Sequence, residues 1–173
     1  MRKHGLFRRS LIAAISGIGL ALGLNLPARS FTPDDAGRVT ALLVELLPEF
    51  GPFAYDEEEA DRIFDEDAVT DGRIMAAGFT RETWRRALGQ AFRGFLATIP
   101  ANVISERFTR SLESLDGASH LSGEQKAELR ALMEEHVAGI ELMRAEGAAY
   151  ADMVRPYAAQ FEAAFDTGLE HED

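Results

Sequence analysis

Cysteine is absent from this 173-residue chain. The protein can therefore form no disulfide, and an oxidising compartment would add no covalent support to its fold. The same absence excludes a thiolate nucleophile and lipid attachment to an N-terminal cysteine.

Recognisable catalytic motifs are lacking as well. The sequence contains no Gly-x-Ser-x-Gly, no His-Glu-x-x-His and no phosphate-cradling glycine loop. Catalysis would have to rest on a pair of carboxylates, and among 29 acidic residues no pair stands out. A hydrolase is accordingly the weakest functional alternative, and no cofactor is predicted.

Positive charge is scarce beyond the first thirty residues. Residues 1–30 hold five of the 18 basic residues and none of the 29 acidic ones, so the chain from residue 31 onward has a formal net charge of −16. Nucleic acids and anionic membranes are bound by positive charge that replaces counterions. The composition therefore argues against both as partners.

The first thirty residues have the layout of a secretory signal peptide. A basic segment over residues 1–9 precedes an uncharged run over residues 10–26, and Ala28 and Ser30 supply the small residues of a cleavage site. We expect cleavage after Ser30, export to the periplasm and no stable membrane association afterwards. The alternative is an uncleaved anchor, but the run is shorter than the roughly 20 apolar residues that span a bilayer.

The export route is indicated less clearly by the same segment. Residues 8–12, Arg-Arg-Ser-Leu-Ile, resemble the twin-arginine export signal. The match is partial, because Phe7 and Leu11 depart from the usual residues. The general secretory route is therefore the expectation.

Residues 31–173 read as a single helical domain. Apolar residues recur every three or four positions nearly throughout, and no window alternates as a strand would. Helix starts are indicated at Thr32, Asp56, Thr80 and Ser122, with breaks at Pro48, Gly51-Pro52 and Pro100. We predict an all-α fold, an irregular bundle of about five helices closed by a long, kinked C-terminal helix, with residues 166–173 frayed. The kink is expected at Pro156, with a break near Gly147 as the alternative.

The last predicted helix carries the candidate partner surface. Its apolar seam includes flexible and aromatic side chains of the kind enriched at interfaces, namely Met143, Tyr150, Val154, Tyr157 and Phe161. They predict docking of another protein, self-association or an apolar pocket between helices. The alternative is an ordinary core seam. His136 lies on the same seam and is interpreted as a structural histidine rather than a metal ligand, because no second ligand follows at helical spacing.

The acidic stretch over residues 56–71 is a weak candidate for a cation site. Asp65, Asp67 and Asp71 offer the oxygen ligands that calcium prefers. The spacing of an EF-hand fails, because Val69 and Thr70 stand where a ligand and a glycine are needed. The alternative is a solvated helix whose acids pair with arginines 81, 85, 86 and 93 of the following helix.

One short motif suggests a family. Residues 121–125, Leu-Ser-Gly-Glu-Gln, resemble the Leu-Thr-x-x-Gln motif of small periplasmic helical stress proteins of the Spy and CpxP type. The resemblance implies an ATP-independent chaperone or an envelope sensor. It covers five residues, has Ser122 in place of threonine and occurs once, whereas those proteins usually carry it twice. A helix capping box formed by Ser122 and Gln125 explains the same residues.

These observations favour an exported, non-enzymatic helical binding or interaction protein. A small-molecule or cation carrier and the envelope chaperone remain the alternatives.

Overall fold

In the computed structural model, the described residues are 30–165. They form eight α-helices and one 3₁₀ turn: α1 (Pro33–Phe50), α2 (Glu57–Val69), α3 (Arg73–Ala76), α4 (Arg81–Thr98), α5 (Ala101–Gly117), α6 (Gly123–Gly147), α7 (Ala151–Val154), the turn (Arg155–Tyr157) and α8 (Ala158–Ala164). Within this range there is no strand, only one isolated parallel bridge between Phe53 and Phe165. The all-α class is confirmed. The helices outnumber the roughly five predicted, because α3 is an additional single turn of four residues and the predicted C-terminal helix is divided into α6, α7 and α8.

The predicted helix starts are confirmed by their capping hydrogen bonds. Thr32 and Asp35 form a reciprocal capping box at α1, and Ser122 and Gln125 form another at α6. The carboxylate of Asp56 accepts a bond from the backbone N–H of Glu59 at 2.7 Å. Each of these bonds satisfies backbone N–H groups that a helix start leaves without partners.

The break predicted at Pro48 is wrong. Helix α1 runs through Pro48 to Phe50 and ends at Gly51, which has a positive φ of 69°. Proline removes only the bond to the carbonyl of Val44. Val44 lies on the solvent side with 53% of its surface exposed, so water can solvate that carbonyl.

The predicted single C-terminal helix is divided into separate segments. Helix α6 ends at Gly147, and the chain crosses Pro156 as a 3₁₀ turn between α7 and α8. Both interruptions considered from the sequence are therefore present. Proline at the turn lacks the N–H that an uninterrupted α-helix would need there.

Helix α4 is the centre of the fold. It packs against α1, α2, α6, α7 and α8, and half of its 18 residues are buried, Trp84 completely. The Trp84 indole N–H donates to the carbonyl of Ala60 at 3.1 Å. Helices α5 and α6 pack on each other, and the buried Ile104, Leu115 and Ile140 lie outside the main core cluster. The hairpin of α5 and α6 thus has a small set of buried apolar residues of its own.

None of the described helices is long and apolar enough to span a membrane. The predicted leader, apart from Ser30, and the tail over 166–173 lie outside the described residues.

Candidate functional site

The predicted partner surface on the C-terminal segments is largely interior. Val154 and Phe161 are 0% exposed, and Phe161 stacks on Phe165 with ring centroids 5.7 Å apart. Met143, Tyr150 and Tyr157 are half-buried and pack against the same core. Val154 and Phe161 are not accessible to a partner in this fold. Tyr150 keeps a polar edge at the surface, where its hydroxyl accepts a bond from Gln90.

The three candidate metal ligands are each beside an arginine. Asp67 is fully buried and accepts from the Arg73 Nε at 2.9 Å and from the backbone N–H of Ile74 at 2.8 Å. Asp65 pairs with Arg81, and Asp71 is exposed to solvent. Residues 30–165 contain no group of three or more acids or histidines that could hold a metal ion. Asp67 instead ties the end of α2 to α3.

The predicted pairing between the acidic stretch and α4 occurs for two arginines. Arg81 pairs with Asp65, and Arg85 Nη1 lies 3.2 Å from the carboxylate of Asp61. The other two predicted arginines have different partners, Arg86 with Glu82 at 3.5 Å and Arg93 with Glu146 at 3.0 Å. The side chains of these pairs are between 26% and 77% exposed. Ion pairs at such exposure contribute about 0–1 kcal/mol each to stability.

An apolar groove lies between α5 and α6. Its cavity of about 310 Å³ is open to solvent and is hereafter called the α5–α6 groove. It is lined by Ile104, Arg107, Phe108, Ser111, Leu129, Leu132, Met133, His136, Val137 and Ile140. Leu132 is 56% exposed and Leu129 39%. His136 is exposed at this groove rather than held in the core.

The side of the groove towards α5 is basic. An adjoining cavity of about 510 Å³ shares Arg107, Ser111 and Met133 with the groove and adds Arg110 to its lining. Among the described residues, no acidic side chain lines either cavity. In a chain with a net charge of −16 beyond residue 30, this is a local reversal of sign.

The sequence pattern predicts part of the α5–α6 groove as an apolar seam, but it places the partner surface on the C-terminal segments instead. The seam through Leu129, Met133 and Ile140 was identified, while Leu132 and Val137, which widen it, were not. An apolar stripe broader than one neighbouring helix can cover is the signal that was available.

The chaperone-like motif is accounted for by local structure. The Ser122 Oγ accepts from the Gln125 backbone N–H at 3.2 Å, and Gln125 Oε1 accepts from the Ser122 N–H at 2.9 Å. Both polar motif side chains therefore cap α6.

No family model, no curated protein and no solved structure matches this chain.

Proposed function

We propose that the protein is an exported, non-enzymatic binding protein whose α5–α6 groove receives an acidic amphipathic helix of another protein. The observation that carries the proposal is the exposure of Leu129 and Leu132 in a groove with a basic flank. The proposed binding surface differs from the one expected from the sequence, but the proposed class of protein is the same.

The apolar lining supports a helical occupant. Amphipathic helices dock by placing apolar residues at helical spacing into such a groove. Fully burying one exposed leucine stabilises a complex by about 1.5–3 kcal/mol before the entropic cost of association. Leu129 and Leu132 are one helical turn apart, so both can contact the same face of a docked helix.

Charge supports an acidic occupant other than a second copy. Arg107 and Arg110 flank the apolar lining and can pair with carboxylates of the partner. Two copies of this chain would each carry a formal net charge of −16, which opposes self-association over most of their surfaces.

The leader pattern supports export to the periplasm as part of the same proposal. Cleavage after Ser30 would leave Phe31 as the first residue, and Phe31 is 4% exposed in the core. The mature chain would thus begin with a residue of its hydrophobic core.

Capture from periplasmic extract with matched bait variants tests the proposal. Leu132→Glu places a charge inside the groove, whereas Leu142→Glu changes a leucine of the same helix that is 62% exposed and outside the lining. We expect a partner with an acidic helical segment to be retained by the wild type and by L142E and lost with L132E. Equal capture by both variants, or a second copy as the retained species, would refute the proposal.

A further inference from the structure

A second, polar cleft lies along α4. Its cavity of about 480 Å³ is lined by Tyr55, Glu57, Glu82, Arg85, Arg86, Gln90, Arg93, Glu146 and Tyr150. Among the lining residues of α4, Glu82, Arg86, Gln90 and Arg93 follow one another at steps of three or four and so share one helix face, with Arg85 beside them. The volume falls within the range of small-molecule sites in proteins.

Three of the cleft residues are arginines. Arg85, Arg86 and Arg93 each direct one nitrogen at a neighbouring carboxylate, at 3.2, 3.5 and 3.0 Å. A guanidinium has five N–H donors in a planar fork, so one such pair occupies a minor part of its capacity. The partners Glu82 and Glu146 are 77% and 52% exposed, and pairs of that kind are weak enough for another anion to replace.

Two tyrosines line the cleft, and each packs against a phenylalanine ring. The Tyr55 ring lies 4.9 Å from that of Phe92, and Tyr150 meets the Phe31 ring edge-on at 5.6 Å. The Tyr150 hydroxyl oxygen accepts from Gln90 Nε2 at 3.2 Å, so its own proton can be donated to a ligand.

The absence of a side chain at Gly89 allows the Tyr55 ring to lie close to α4. A side chain at Gly89 would overlap the Tyr55 hydroxyl, which therefore lies directly against the helix backbone. The Tyr55 hydroxyl donates to the backbone carbonyl of Arg85 at 3.4 Å, and burial raises the pKa of Tyr55 above its ordinary value of 10.0.

A smaller, partly apolar cavity adjoins the cleft. Arg86 and Gln90 also line a smaller cavity of about 120 Å³ whose wall includes Phe31 and Phe79. An occupant that pairs with the arginines can thus place a ring or chain beside aromatic side chains. This arrangement fits an organic anion better than a bare ion.

We infer that this cleft binds a small organic oxyanion, a carboxylate or a phosphate ester, held by Arg85, Arg86 and Arg93 between the two tyrosines. Planar guanidinium groups bind both kinds of oxyanion through paired N–H donors. The site is independent of the α5–α6 groove and of any partner bound there.

Calorimetric titration of the purified protein with simple probes tests the inference. Benzoate and phenyl phosphate represent the two oxyanion classes, inorganic phosphate lacks the organic part, and benzyl alcohol lacks the charge. We expect one of the two organic anions to bind at one site per chain, and benzyl alcohol and inorganic phosphate to bind more weakly.

Matched variants locate the site. Arg86→Gln should weaken binding by about tenfold, the effect of losing a charge-assisted hydrogen bond, while Arg155→Gln, at an exposed ion pair outside the cleft, should change it less than about twofold. Tyr150→Phe keeps the ring and should weaken binding about threefold. Absence of binding by both organic anions, equal binding of benzyl alcohol, or wild-type affinity in R86Q and Y150F would overturn the inference.

Discussion

Gly147 lies directly against the carbonyl oxygen of Arg93, so that α6 ends in backbone contact with α4. A side chain at Gly147 would overlap the Arg93 carbonyl, which is main chain and cannot swing aside. At the same crossing, Gly94 has no room for a Cβ, which would lie 2.9 Å from both Tyr150 Cβ and Val154 Cγ2. This crossing holds the hairpin of α5 and α6 on the core and also brings Glu146 to Arg93 at the edge of the cleft.

Gly147→Ala should therefore destabilise the protein. Forcing a methyl group into a close-packed contact costs about 1–3 kcal/mol. Gly139→Ala is the matched control in the same helix, because a Cβ there meets nothing within 4 Å. The control should gain up to about 1 kcal/mol from helix propensity. Urea unfolding of both variants measures the difference, and equal stabilities would show that the crossing is not close-packed.

Phe31→Ala should lower the free energy of unfolding by about 3 kcal/mol, because it empties a buried aromatic site. Val44→Ala, at a residue 53% exposed, should change it by less than about 0.5 kcal/mol.

The intact mass of the protein from a periplasmic fraction should correspond to a chain that begins at Phe31. A mature chain lacking Phe31 would contradict the proposed cleavage site.

Asp67→Asn should destabilise the junction of α2 and α3. The Asp67 carboxylate is buried and takes bonds from Arg73 and from the N–H of Ile74, and losing its charge should cost about 2 kcal/mol. Asp71→Asn, at a carboxylate 67% exposed and 3.7 Å from the same arginine, should be nearly neutral. Thermal unfolding distinguishes the two, and equal losses would mean that burial does not strengthen the Asp67 pair.

Stability should depend on Tyr55 at alkaline pH. Because burial raises its pKa in the folded state, the folded protein keeps the phenolic proton where the unfolded chain releases it. The Tyr55 contribution is complete below pH 10 and is lost as the pH rises through the folded pKa. Denaturation at several alkaline pH values should show a steeper loss in the wild type than in Tyr55→Phe, and parallel losses would contradict it.

Periodicity and capping residues were sufficient to predict the fold class and most helix starts. Thr32, Asp56 and Ser122 act within their own turn, so their role is readable from local sequence. The packing of Gly147 against Arg93 and the burial of Asp67 were not predictable in the same way. Both depend on contacts with residues distant in the chain or in a neighbouring helix, which one-dimensional spacing does not specify.

The candidate site was predicted only in part, for a related reason. Apolar spacing identified Leu129, Met133 and Ile140 as one face, but it does not tell whether another helix covers that face. Val154 and Phe161, which were assigned to the partner surface, follow the same apolar spacing, yet they lie inside the core. Exposure distinguishes the two segments, and exposure follows from tertiary packing.

The most direct measurement is photo-crosslinking in cells from a benzoylphenylalanine placed at position 132 or at position 142. Both positions are exposed on α6, and only Leu132 lines the α5–α6 groove. The account predicts an adduct from position 132 whose crosslinked peptide is an acidic amphipathic helix of another protein, with no such adduct from position 142. Adducts of equal yield from both positions, or none from position 132, would contradict it.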